Sequence, residues 1–117
     1  MLNNFRDKAF QIAEKNGFHE NVNFGEKLML TVSELSEALE ADRKGEWCRN
    51  RMKALPQEDL DSETYKAFIR GTVEEEIADA IIRLFDLAGI YNIDLDWHVN
   101  QKMNYNKARP FKHNKSY

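Results

Sequence analysis

The chain has 117 residues, 42% of them hydrophobic and 32% charged, with five Gly and two Pro; this length favours one domain over 1–117 rather than two cores, and the composition excludes a membrane span, a collagen-like repeat and a disordered tail protein. Twenty acidic against seventeen basic residues give a net charge of −3, which argues against wholesale capture of nucleic acid by a basic surface. The single Cys48 cannot make an intramolecular disulfide, and MLNNFRDKAF carries neither a signal-peptide core nor a transit pattern, so the expected compartment is cytoplasmic.

The periodicities are helical, and four or five helices are expected in an all-α bundle. The first spans about Leu2 to Asn16, with Phe5, Ala9, Ile12 and Ala13 on one stripe and Gly17 placed to end it. The second begins near Asn23 or Gly25 and runs to about Asp42. In it Leu28, Val32, Leu35 and Leu39 alternate steps of four and three, the spacing of a buried seam, and Lys44-Gly45 closes it.

Trp47 to Asp61 is the least regular stretch and reads as a loop with a helical piece. Ser62 to Arg70 reads as a short helix with Tyr65, Phe68 and Ile69 inward and Gly71 as its stop. Thr72 to Glu75 is a capping box that opens a third long helix. Its seam is Ile77, Ile81, Leu84 and Ala88, and it ends near Gly89 to Asn92. A last helix starts at about Asp94, uses Leu95, Val99 and Met103, and stops before Pro110.

Two acidic pairs stand out on this frame. Glu34 and Glu37 lie about 60° apart on one helix face, and Glu76 and Asp79 repeat that geometry. Each pair is expected to border the interior beside its seam, with Leu30, Ala38 and Ala41 leaving room on the acidic face. If the two faces meet, four carboxylates converge. Two unit charges about 4 Å apart repel by roughly 4 kcal/mol at an effective dielectric near 20, a large fraction of a small domain's stability.

A cation must then compensate, and Mg²⁺ or Mn²⁺ fits a hard oxygen site shared with phosphate. A di-iron bundle needs Glu-x-x-His pairs, yet none of His19, His98 and His113 lies three residues after a Glu. One Cys and scattered His do not suit zinc. The plain alternative is that these acids form solvated helix faces. Glu74 and Glu75 read as favourable first-turn charges, and Glu40, Asp42 and Asp86 as surface.

From Asn100 to Tyr117 the chain holds Lys102, Lys107, Arg109, Lys112 and Lys115 and no acid. Lys102, Asn106 and Arg109 follow one another at about one-turn intervals, a point charge, an amide and a fork suited to phosphate; cations decorating a helix C-terminus explain them equally well. Arg43, Lys44, Arg49, Arg51 and Lys53 surround Trp47, either to grip a nucleotide by charge and stacking or as a solvated loop.

Taken together, Glu34-Leu-Ser-Glu37-Ala-Leu-Glu, then Glu76-Ile-Ala-Asp79-Ala-Ile-Ile-Arg-Leu-Phe-Asp-Leu-Ala, then Lys102-Met-Asn-Tyr-Asn106-Lys-Ala-Arg109-Pro resemble the MazG-like nucleoside triphosphate pyrophosphohydrolases, from about Phe24 to the C-terminus. The resemblance implies the all-α NTP pyrophosphatase fold and a nucleotide-pool enzyme that cleaves a nucleoside triphosphate to the monophosphate and pyrophosphate. It implies Mg²⁺ held by Glu34, Glu37, Glu76 and Asp79, a catalytic carboxylate in the Glu34/Glu37 pair, Lys102, Asn106 and Arg109 on the triphosphate, and a homodimer or homotetramer. Two departures stand out: Ser33 occupies a position where many members have a further Glu, and the span between Glu37 and Glu76 is longer than in compact versions. The rival expectation is a non-catalytic helical nucleotide-binding or adaptor protein.

Overall fold

The computed structural model describes residues 1–110, and among these it consists of helices and their connections with no strand. The elements are α1 (Leu2–Lys15), α2 (Phe24–Arg43), the single turn α3 (Cys48–Arg51), α4 (Ser62–Phe68), α5 (Val73–Ile90) and α6 (Leu95–Lys107). None of them is long and apolar enough to cross a membrane. Lys112, His113 and Lys115 lie outside the described residues.

The helix starts follow from short polar side chains that satisfy first-turn amides. Asn23 accepts from Glu26 N at 2.9 Å, Asp61 from Thr64 N at 2.8 Å, Thr72 from Glu75 N at 3.2 Å and Asp94 from Trp97 N at 3.0 Å. Gly17, with φ +80°, and Gly45, with φ +71°, take the left-handed conformation just past the ends of α1 and α2. The capping box at α5 is only half closed. Glu75 does not return to Thr72 but accepts from Gly71 N at 2.9 Å and from the Tyr65 hydroxyl at 2.6 Å, which ties α4 to α5.

Helix α1 has no side-chain cap of its own. Asp96, in the first turn of α6, accepts instead from Leu2 N at 2.8 Å and Asn3 N at 3.2 Å. In return the Asn3 side-chain oxygen accepts from Leu95 N at 2.9 Å. Two helix N-termini thus cap each other, and this reciprocal joint docks α6 on α1. A second joint closes the long loop: Cys48 N and Arg49 N donate to Glu74 at 2.7 and 3.1 Å, and Val73 N donates to Glu46 O at 2.9 Å. Glu74 therefore holds a loop as well as favouring its helix terminus.

Packing departs from the seam expectation. Helix α5 is central, lying against both α2 and α1. The buried positions of α2 are Thr31, Glu34 and Ala41, and those of α5 are Val73, Ala80, Asp86, Leu87 and Ala88. Of the two seams only Ala88 is buried; Leu28, Val32, Leu35 and Leu39 are 37 to 52% exposed, and Ile77, Ile81 and Leu84 are 45 to 47% exposed. At about 100° per residue the aliphatic stripe of α2 lies well over 90° round from Glu34, so one neighbouring helix can cover one stripe and not the other. The acidic and small-residue faces meet, and the aliphatic stripes turn outward.

Elsewhere the inward expectations fail in the same way: Phe5 and Ile12 of α1, Tyr65 and Phe68 of α4, and Val99 and Met103 of α6 are all exposed. The Cα radius of gyration is 17.0 Å, against about 13 Å for a compact chain of this length. Besides its contact with α2, α5 is approached tightly by α1 at one point. A Cβ added at Gly89 would stand 2.8 Å from Phe10 Cβ, at the root of that side chain rather than its flexible end.

Gly89→Ala sets two effects against each other, since alanine favours a helix by about 1 kcal/mol while overpacking costs about 1–3 kcal/mol. The contact should win, with a melting temperature lower by several degrees; a higher one in a thermal melt would show that α1 does not press on α5 there.

Candidate functional site

Glu34 sits midway along α2 on its buried face, and Glu76 and Asp79 occupy the first two turns of α5 opposite it. Each offers a carboxylate oxygen within 4.8 Å of the others. Arg83, one turn beyond Asp79, donates from Nε to Glu34 Oε1 at 2.9 Å. Glu76 Oε2 is buried and has no hydrogen-bond partner. Glu37, the fourth acid expected to converge, is not part of that trio; it neighbours Glu76 and lines a second, shallower hollow with it.

The electrostatics follow from crowding acids where water is scarce. Burial raises the Glu34 pKa, but the hydrogen bond and charge of Arg83 outweigh it and hold that carboxyl below its ordinary value. Burial pushes Glu76 up to about 8, helped by the Glu37 and Glu34 carboxylates beside it. Asp79 is raised by burial and by the charges of Glu34 and Glu75, against which Arg83 pulls. The crowding is relieved by the Arg83 guanidinium on Glu34 and by the raised proton affinity of Glu76 and Asp79. An orphaned buried oxygen among three converging carboxylates is also a donor set suited to a hard divalent cation.

Two hollows flank the acids. The larger, of about 440 Å³, opens between α1, α2 and α5, with Glu34 and Asp79 at one end and apolar walls that include Ile12, Phe18, Leu30 and Ile82. Asp86 also lines it. That residue, expected at the surface, is buried and accepts from His19 Nε2 at 2.7 Å. The other ring nitrogen of His19 meets Glu14, and the ring packs on Phe10 with centroids 4.5 Å apart. Burial disfavours the imidazolium, but the hydrogen bonds it donates to Asp86 and Glu14 prevail and the His19 pKa is raised.

The smaller hollow, of about 370 Å³, is lined by Glu37, Glu76, Lys44 and Arg51 among others. Its cations are engaged: Lys44 pairs with Glu40 at 3.9 Å, and Arg51 pairs with Glu46 and donates to Arg70 O at 3.0 Å. Arg49 lies over the Trp47 ring at 4.0 Å. The basic loop around Trp47 is thus bound up with itself.

Lys102, Asn106 and Arg109 are brought together, but by each other. Arg109 Nη1 donates to Asn106 Oδ1 at 3.0 Å, and Lys102 and Arg109 both stand 5.1 Å from the Tyr105 ring centre. None of them lines either hollow. Sequence reasoning missed Arg83, Asp86 and His19. The first two were within reach of it, because positions 79, 83 and 86 recur at helical spacing on the face of Asp79. His19 carries no such signal, since it lies in a turn and meets Asp86 across a gap of 67 residues.

Comparison of the chain with protein-family models, with curated proteins and with solved structures returns no match.

The raised Glu76 pKa fixes the sign of a pH dependence. Between its ordinary 4.5 and about 8, the folded chain holds a proton that the unfolded chain has lost, so stability falls as pH rises through that window. In chelator, the melting temperature should decline from pH 5 to pH 8, and Glu76→Gln should flatten the decline and melt higher at pH 8. Parallel profiles for the two proteins would remove Glu76 from the cluster's charge balance.

Proposed function

We propose that this chain is a divalent-metal-dependent nucleoside triphosphate pyrophosphohydrolase that releases a nucleoside monophosphate and pyrophosphate. The observation that carries the reading is the buried, unpartnered Glu76 Oε2 among the carboxylates of Glu34 and Asp79, which themselves line a hollow of nucleoside scale. The resemblance of both acidic pairs and of the Lys102-to-Arg109 segment to MazG-like enzymes supports it.

In this reading Glu34, Glu76 and Asp79, bordered by Glu37, hold Mg²⁺ or Mn²⁺, which supplies neutralisation of phosphate charge and polarisation of water. Glu34, kept ionised by Arg83, is fixed as a ligand rather than a proton carrier. Glu37 lines the smaller hollow on the other flank of the cluster, beside Glu76, and takes the proton of a water attacking from that flank as the general base. Glu76 must give up its proton when the cation enters, so metal affinity increases with pH up to about 8.

The functional unit in this proposal is a homodimer or a larger homo-oligomer. Leu28, Val32, Leu35 and Leu39 with Ile77, Ile81 and Leu84 make two adjacent, half-exposed aliphatic stripes, and monomers rarely leave apolar patches beyond a few hundred Å² uncovered. A second copy docked there gives each stripe the partner that its coiled-coil spacing specifies. The Lys102, Asn106 and Arg109 group, which lines neither hollow of its own chain, then meets phosphate across the assembly.

Incubation with a nucleotide panel and Mg²⁺ should release pyrophosphate, and Glu37→Gln or Asp79→Asn should lower the rate by about 100-fold or more while melting no lower than the parent in chelator. Absence of pyrophosphate from every nucleotide with either metal ends the hydrolase reading and leaves the adaptor alternative. Independently, sedimentation should give a multiple of the chain mass, reduced to one chain by Leu35→Glu with Ile81→Glu; a parent protein that sediments as one chain at micromolar concentration rejects the oligomer.

A further inference from the structure

We propose that the hollow between α1, α2 and α5 receives the nucleoside half of the substrate, and that Asp86 is its specificity-determining residue, accepting a hydrogen bond from the exocyclic amino group of the base. Cytosine, adenine and guanine nucleotides are then taken ahead of uracil and thymine nucleotides. This rests on the hydrolase reading above, which concerns the phosphate end alone.

The placement of Asp86 is the first argument. It stands two helical turns beyond Asp79 on the same face of α5, about 10 Å along the axis, and both residues line the one hollow. That separation is comparable with the reach of a nucleoside from its 5′ oxygen to the far edge of its base. A triphosphate engaged at the Glu34/Asp79 end therefore directs its base toward Asp86, between the apolar walls of Ile12, Phe18, Leu30 and Ile82.

The state of the carboxylate is the second. Asp86 Oδ1 is taken by His19, itself held from its far side by Glu14 and braced on Phe10. Its Oδ2 has no protein donor among the described residues, yet it is not sealed off like Glu76 Oε2. The two cations lining the hollow are committed elsewhere: Lys27 Nζ donates to Phe18 O at 2.7 Å and Arg83 to Glu34. A fixed acceptor in apolar surroundings with no donor of its own rewards a ligand that brings one, and penalises one that presents lone pairs. An amino group does the first; the 4-keto oxygen of uracil or thymine does the second.

The test pairs binding with turnover. Calorimetry with nucleoside monophosphates should show at least one of dCMP, dAMP and dGMP binding 10-fold or more tighter than dUMP and dTMP. Asp86→Asn, whose amide can donate to a keto oxygen, should erase or invert that ratio in both binding and the kcat/KM panel. Ala13→Phe, which fills the hollow from α1 and leaves every carboxylate in the sequence, should weaken every nucleotide by at least 10-fold and serves if Asp86→Asn does not fold. Equal affinity of the parent for dCMP, dAMP, dGMP and dUMP, an unchanged ratio in folded Asp86→Asn, or full affinity in Ala13→Phe overturns the proposal. Selective binding without pyrophosphate release instead supports the pocket and removes the hydrolase reading.

Discussion

The Arg83–Glu34 ion pair joins α5 to α2 in the middle of a contact that otherwise carries acids and small side chains. The Arg83 side chain is 41% exposed and that of Glu34 12%, so the pair is only half-buried and a weak source of net stability. Here it acts as a fixed countercharge. Without it Glu34, Glu76 and Asp79 would face one another with only protons to relieve them, and α2 and α5 would be driven apart. With it, the pKa of Glu34 is lowered while that of Glu76 is raised, so one geometry sets adjacent carboxylates apart in proton affinity.

That choice of contact governs the rest of the architecture. A helix pair has one shared interface, and here it is given to groups that chemistry could use rather than to Leu and Ile. The aliphatic stripes are displaced to the outside, the described residues bury few large side chains, and hydrogen-bonded joints take on work that a core usually does. The mutual capping of α1 and α6 and the Glu74 latch on α3 are local, directional contacts that position elements without much buried apolar area. A protein built this way gains most of its hydrophobic stabilisation from whatever covers the stripes.

Much of this was legible in the amino acids. Helix starts were expected near Asn23 or Gly25, at Thr72 and at about Asp94, and Asn23, Thr72 and Asp94 are the caps, because a short polar side chain before an amphipathic run has one good use for its oxygen. The carboxylate spacing put Glu34, Glu76 and Asp79 on single faces, and those faces meet. What misled was the rule that the most aliphatic stripe turns inward; within this chain the acidic and small-residue faces take the α2–α5 contact instead. Asp86 was misread for a related reason, since an acid in a helical pattern reads as solvated until its cation is found, and His19 comes from a turn far away in sequence.

The loop that leaves α2 and returns to α5 is pinned at its two roots. Val73 N on Glu46 O and Cys48 N on Glu74 fasten the exit of one helix to the entrance of the next. These bonds set the axial register of the facing carboxylates from outside the cluster, as a ruler fixed at one mark. Residues between the roots can therefore be gained or lost without sliding Glu34 past Glu76, whereas a single insertion within either helix would rotate its acids out of alignment. The long span between the acidic pairs is, in that sense, mechanically insulated from the acids, and it is the natural place to graft a new segment onto this scaffold.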